Sequence, residues 1–502
     1  MNKVHGCIGA LALAWTLAAS AQAAPHFASR EYLLMGNINR DSGEPMLAVD
    51  PTNANNIVVI GMGNLNRTGP QPVTRGMTSA YWGIPDSTEP LLAVTHNGGR
   101  TWKFGVLPIL TRELAPDHLP FRRCPDPFAA VTANGVFLVG CEPRVAVPDQ
   151  SGYYPGGSYF LISTDKGDTW SQTPTPVITS WALPRFAPGL KPRVGGVASP
   201  WDRPFLKVDN STGIIYGQAG GGQTDIDQAP GHYRTQSYIT SSTNGGRSFG
   251  TIYSWDSPQY PELGRGGFDV ANGILGVAYP ARSAPHARCP CVVFGASRNR
   301  GQSFTYHVIP HVPLARAAFA GLRPAPGAAT GLYPGMRPAG GLDVAADPTH
   351  PGRFNVLLGL NDRLDIAVTN DAGATWSGWT TAAYVPGTQP IKDWITYSSQ
   401  GVLGLMWRAI RPDGSYLIYS VISRDGGRTF SQPLRISHQA SPPGYPNRMG
   451  GMFGDDIQDL VIGKSHARMV WGDSRSGFLG TWFGEVPLSA YHFAAGGGSE
   501  VP

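Results

Sequence analysis

Charge is the scarcest property of this 502-residue chain: Asp, Glu, Lys and Arg make up only 15% of it, against about 25% in an ordinary globular protein. A formal net charge of +5 over that length is too mild to indicate a nucleic-acid partner. Lysine is nearly absent, with 7 Lys against 32 Arg, a bias that favours planar, two-pronged recognition of anions and that GC-rich coding also produces. Only five cysteines occur, and neither pair among them has the ligand spacing of a zinc site. Beyond the N-terminus no apolar run approaches 18 residues, so no membrane span is expected. Gly220-Gly221-Gly222 lacks a following Lys-Ser/Thr, which excludes a phosphate loop. Against these shortages stand 65 Gly and 45 Pro. Both are costly inside helices, and the glycines have no three-residue period, so long bundles, coiled coils and collagen are excluded. With 41% hydrophobic residues, the remaining class is a turn-dense, all-β protein with a large core.

The N-terminus reads as an export leader. Lys3 precedes the mostly apolar stretch Ile8–Ala19, and Ala21-Gln22-Ala23 offers small residues for cleavage. The expected organisation is a leader over 1–23, a single domain over 24–493 and a frayed tail over 494–502. A secreted or periplasmic monomer is the corresponding expectation. In such a compartment Cys124 and Cys141, which flank two adjacent predicted strands, are placed to form a disulfide. A bridge across Cys289-Pro290-Cys291 is expected to be strained.

An eight-residue pattern recurs six times: Ser or Thr, any, Asp or Asn, any, Gly, any, Thr or Ser, aromatic. Its copies run Thr95–Trp102, Ser163–Trp170, Ser242–Phe249, Ser297–Phe304, Thr369–Trp376 and Ser423–Phe430, with starts 68, 79, 55, 72 and 54 residues apart. The Asp or Asn closes a tight turn onto nearby amides, the Gly supplies a positive φ, and the hydroxyls add local bonds. Apolar strands precede the copies, so each is predicted to join the last two strands of a repeated unit. A second pattern lies upstream, an acidic or polar start followed by a short apolar strand. It occurs at Glu44-Pro45, Asp126-Pro127, Asp202-Arg203-Pro204, Asp269, Asp343, Lys392-Asp393 and Asp455-Asp456. Units of 50–80 residues with four strands each predict a β-propeller. Seven blades follow from the first strands, six being the alternative, and Glu31–Met35 is available to complete the last blade.

The six turns resemble the Asp-box (BNR) repeats of the sialidase-like superfamily over nearly the whole mature chain. The resemblance implies a propeller and a glycoside hydrolase that binds a sugar carboxylate through three arginines, with a Tyr–Glu nucleophile and an Asp acid/base. The boxes themselves are fold markers. The chain lacks the N-terminal Phe- or Tyr-Arg-Ile-Pro segment of sialidases; its nearest string, Asp202-Arg203-Pro204-Phe205, falls in the third unit.

First strands of a propeller line its channel, so their acidic starts are expected to converge at one mouth. Glu44, Asp126, Asp202 and Asp456 are the catalytic candidates, with Asp126 and Asp202 favoured as the acid/base pair. Asp393 and the flanking Arg122, Arg203, Arg448 and Arg475 are the substrate-binding candidates. The competing reading of a repeated acid is structural: it caps a strand or accepts a neighbouring blade's amide. For Trp471-Gly472-Asp473-Ser474-Arg475, a buried Asp–Arg pair competes in the same way. No cofactor is expected. His232, His286 and His438 are isolated, and an acidic channel leaves room for a structural Ca²⁺ without fixing its place. The expected function is an exported sialidase-like glycoside hydrolase acting on an acidic carbohydrate or glycoconjugate. A polysaccharide lyase and a non-catalytic glycan- or protein-binding propeller are the alternatives.

Overall fold

A computed structural model describes residues 27–65, 88–109, 121–145, 157–179, 202–224, 233–262, 266–289, 291–311, 342–443 and 454–493. The expected leader, the insertion 312–341 and the tail lie outside them. Seven four-stranded antiparallel sheets form the blades of a propeller, and the six-bladed alternative falls away. The innermost strands are Arg40–Val49, Phe128–Val131, Asp202–Asp209, Gly267–Ala271, Leu342–Ala346, Gln389–Tyr397 and Asp459–Ile462. Each contacts the next around the ring, and the last contacts the first.

Middle strands are apolar at nearly every position because blades stack on both faces, so burial shows no alternation. All eight residues of Ile274–Ala281 and of Leu403–Ile410 are buried. The core is accordingly a set of inter-blade clusters. Val58 and Ile60 of the first blade, for example, pack with Phe137 and Val139 of the second. Each such side chain contributes about 1.5–3 kcal/mol by leaving water.

The six box turns join third to fourth strands as the spacing predicts. In Ser423–Phe430, Ser423 Oγ donates to Asp425 Oδ1 at 2.8 Å and accepts from the Gly427 amide at 2.8 Å. Asp425 in turn accepts from the Thr429 amide and hydroxyl at 2.9 and 2.6 Å. Gly427 has φ +91°, and a Cβ there would meet Asn355 Nδ2 of the preceding blade at 2.4 Å. The Gly is therefore required twice, by conformation and by the preceding blade's approach.

Arg30–Met35 pairs with Gly480–Pro487 as the outermost strand of the seventh blade, so the chain's two ends close the ring. Tyr32 reinforces the seam: its hydroxyl donates to Gly99 O at 2.9 Å and accepts from Trp102 Nε1 at 2.8 Å. Cys124 and Cys141 are bridged, with Cα atoms 5.4 Å apart. Cys289 and Cys291 are bridged as well. Extended backbone would hold the two Cα atoms roughly 6.6 Å apart; a bend at the start of strand Cys291–Ser297 brings them to 4.3 Å.

Candidate active site at the channel mouth

Five innermost strands begin with the same device. Glu44, Asp126, Arg203, Lys392 and Asp455 have φ of +49°, +48°, +54°, +51° and +72°. In three of these blades the ladder slips at that point, between Gly43 and Met46, Asp202 and Phe205, and Ile391 and Trp394. The next residue is Pro45, Pro127, Pro204, Asp393 or Asp456; proline has no N–H to give a ladder. Bulges re-aim side chains, and non-glycine residues at positive φ cost roughly 1–3 kcal/mol each, a strain concentrated at functional sites.

The re-aimed side chains meet. Asp456 is held from two sides: Arg203 Nη2 donates to its Oδ2, and Lys392 Nζ to its Oδ1 at 2.5 Å. Burial pushes the Asp456 carboxyl up, but Arg203 and Lys392 outweigh it and hold the group well below the usual range. Glu44 and Asp455 have the opposite character. Burial, then the charges of Asp455 and Asp126, push Glu44 well above the ordinary carboxyl value. Burial and the Asp456 charge push Asp455 up to about 7. Among the described residues, Glu44 Oε2 and Asp455 Oδ2 are both enclosed without a hydrogen-bond partner. A Cβ on the intervening Gly43 would stand 2.9 Å from Asp455 Oδ2, so only glycine fits between them.

Arg408, fully buried, fixes this edge of the site. Its Nε donates to Gln458 Oε1 at 3.0 Å, its Nη2 to Ile457 O at 3.2 Å and its Nη1 to Asp455 O. Gln458 Nε2 then donates to Lys392 O, tying the sixth and seventh blades together.

Two residues below the bulge, Phe205 and Trp394 meet edge to face with centroids 5.5 Å apart. Lys207, two residues further on, lies 5.9 Å over the Trp394 ring. Burial opposes its charge, but Asp269, Asp343 and Asp459 prevail and raise its pKa. Burial lifts Asp343 to about 7 against the pull of Lys207, and Asp459 to about 6 against the Leu47 amide.

Of the residues singled out from the sequence, Glu44, Asp126, Arg203 and Asp456 come together. Asp126 is buried, and its charge acts on Glu44. Asp393 is buried beside the mouth, and its charge acts on Asp343 of the fifth blade. Asp202 does not share the register of Glu44 and Asp126: the bulge gives that position to Arg203. The Asp202 side chain, that of Arg122 and the whole of Arg448 lie outside the described residues. Arg475 is not delivered to this cluster. Its Nη1 pairs with Glu31 Oε1 at 2.8 Å, its Nη2 with Asp473 Oδ2 at 2.5 Å, and it stacks 4.1 Å over Trp482. These partners belong to the second, third and outermost strands of the seventh blade, so Arg475 serves the ring seam. Lys392 and Arg408 are the site residues that the spacing did not single out, while Asp455 was read only as part of the repeated Asp455-Asp456 start. The residue before proline marks Glu44, Asp126 and Arg203, but Lys392 and Asp455 are followed by Asp393 and Asp456 and carry no such trace.

Among the described residues, no three carboxylates, imidazoles or thiols are arranged to hold a metal ion. No helix among them is long and apolar enough to cross a membrane.

No family model matches the sequence, and no curated protein matches it. Solved structures of similar architecture include a Dyadobacter fermentans protein of unknown function. It is 13% identical, with 79% of this chain and 98% of that one covered and a TM-score of 0.45. A Hadza microbial sialidase is 15% identical, with 92% and 96% covered and a TM-score of 0.44. An α-L-arabinofuranosidase from Fusarium graminearum is 14% identical, with 76% and 93% covered and a TM-score of 0.41. The structural neighbours thus include propeller glycoside hydrolases, and at these identities the likeness is one of fold.

Proposed function

We propose that the protein is an exported, sialidase-like glycoside hydrolase that cleaves an acidic carbohydrate at the channel mouth. One arrangement carries the reading: Glu44 and Asp455, whose carboxyls burial pushes up, stand beside Asp456, which two cations hold down. Glycosidic cleavage needs an acid to protonate the leaving oxygen and a carboxylate to stabilise the positive charge on the sugar. Asp455, backed by Glu44, is the proton donor that keeps its proton near neutral pH. Asp456 is the standing anion, and Asp126 is the carboxylate available to activate water. Arg203 and Lys392 hold Asp456 in place and bring two cations to the mouth, a charge that suits an anionic substituent of the sugar.

A panel of fluorogenic glycosides, sialosides included, tests this. Turnover that Asp455→Asn and Asp456→Asn each reduce at least about 100-fold supports it. Unchanged turnover in both variants rejects the assignment. The second reading is a glycan-binding propeller, favoured by the fact that Arg203 and Lys392 already have Asp456 as partner. Binding on a glycan array without release of aglycone identifies that case. An unsaturated product absorbing in the ultraviolet identifies a lyase.

A further inference from the structure

We infer that the mouth face carries a second carbohydrate subsite at the outer edge of the fifth blade, built around Tyr384. Tyr384 is 58% exposed, which is unusual for a large aromatic ring. It borders a cavity of about 510 Å³ with Asp362, Arg363, Thr381, Val385 and Thr388.

The wall of this cavity is fixed by a buried group. Asp365 accepts from Arg363 Nε at 2.8 Å and Nη2 at 3.2 Å, and from Thr381 Oγ1 at 3.1 Å. Its side chain is only 5% exposed, whereas that of Arg363 is 23% exposed and Thr381 is open to solvent. The planar guanidinium and the hydroxyl are thus held from behind and present their free edges outward. Opposite them a tight turn is closed by Thr388, whose amide and hydroxyl donate to Val385 O at 3.2 and 2.8 Å. A half-open aromatic ring beside rigid hydroxyl and guanidinium groups suits a sugar ring. Its C–H face stacks on Tyr384 while its hydroxyls bond to the wall. Arg363 is already neutralised by Asp365 and Asp362, so the ring it takes is uncharged.

The turn at 384–388 leads directly into strand Gln389–Tyr397, which carries Lys392. Thr388 stands four residues before Lys392, about 13 Å along extended backbone. A glycan chain seated on Tyr384 therefore continues toward the mouth, and the subsite makes the substrate a chain rather than a single terminal sugar. This inference rests on the carbohydrate reading above, yet it is tested by binding alone.

The probes are soluble polysaccharides, neutral (arabinan, xylan) and acidic (polysialic acid), cast into native gels through which the full chain migrates. Retardation of the wild type is expected on at least one neutral gel, with Tyr384→Ala weakening it about five- to tenfold and Tyr384→Phe preserving it; retardation by polysialic acid alone overturns the uncharged-ring assignment. Retardation equal in Tyr384→Ala and wild type overturns the subsite, as does the absence of retardation by every probe. If retardation depends on Tyr384 but no glycoside is hydrolysed, the subsite stands and the hydrolase reading falls.

Discussion

Replacing Asp455 by Asn should make the protein more stable, by an amount that grows as pH rises from about 4 to about 7. Asp455 is buried, and its folded pKa of about 7 stands well above the ordinary 3.8. The sign follows from linkage. Below about pH 4 the carboxyl is protonated in both the folded and unfolded states and has no effect. Between pH 4 and 7 it ionises only when the chain unfolds, so stability falls as pH rises; above pH 7 the loss levels off. A difference of about three units sets a ceiling of about 4 kcal/mol. Coupling to Glu44 and Asp456 and local relaxation reduce the expected gain to roughly 1–3 kcal/mol. Asn preserves the shape, and its Oδ1 still accepts the Asp456 amide as Asp455 Oδ1 does at 3.0 Å. Urea unfolding at pH 4.5, 6 and 8 measures the effect: the variant's advantage should be near zero at the first pH and largest at the last. An advantage that is constant across pH, or a variant less stable than wild type at pH 8, would refute the protonated-acid assignment, whatever the substrate. A residue whose ionisation destabilises the fold is retained at a cost, which is the pattern of a functional group rather than a structural one.

The other tests address the scaffold. Lys207→Met leaves Asp269, Asp343 and Asp459 without their shared cation and should destabilise by about 2–4 kcal/mol at pH 8; the loss should shrink at pH 5, where Asp343 and Asp459 keep their protons. Paired Cys→Ser replacement at Cys124 and Cys141, separated by 17 residues, should cost about 3 kcal/mol in urea unfolding. The same replacement at Cys289 and Cys291, separated by 2, should cost about half as much, because a shorter loop restrains the unfolded chain less. Gly217→Ala puts a Cβ 2.1 Å from Val177 Cγ1 across the second–third blade interface. It should cost about 1–3 kcal/mol, and Val177→Ala in the same chain should recover part of that.

The sequence pattern carried the blades further than it carried the site, and the reason is how locally each is specified. A box turn such as Ser163–Trp170 closes within its own eight residues: Ser163 Oγ bonds Asp165, and Asp165 bonds Thr169. Repetition therefore exposes it to reading. The Arg203–Asp456 pair joins residues 253 apart, and which of Asp202 and Arg203 reaches the mouth depends on a slip in the strand ladder. That slip leaves only the following proline as its trace in sequence. Arg475 was open to two readings for the same reason, since its partner Glu31 lies 444 residues away in the closing strand.

The two readings of the repeated acid, catalytic cluster or structural cap, prove to describe two levels of one channel. Side chains at i, i+2 and i+4 of a strand share a face. In the third blade these are Arg203, Phe205 and Lys207, and in the sixth Lys392 and Trp394 occupy the first two levels. In the seventh, Asp459 opens the strand at the level of Lys207, whose charge acts on it, and Asp455 stands four residues before it. On the lower level the acids do what a cap does: Asp269 accepts the Ala346 amide of the next blade at 2.9 Å, and Asp459 the Leu47 amide at 3.0 Å. The upper-level carboxyls Glu44 and Asp455 each keep a buried oxygen without a hydrogen-bond partner among the described residues. The aromatic pair Phe205–Trp394 separates the two levels. The carboxyl oxygens left over for chemistry therefore belong to the upper level, where the positive-φ residues Glu44 and Asp455 stand.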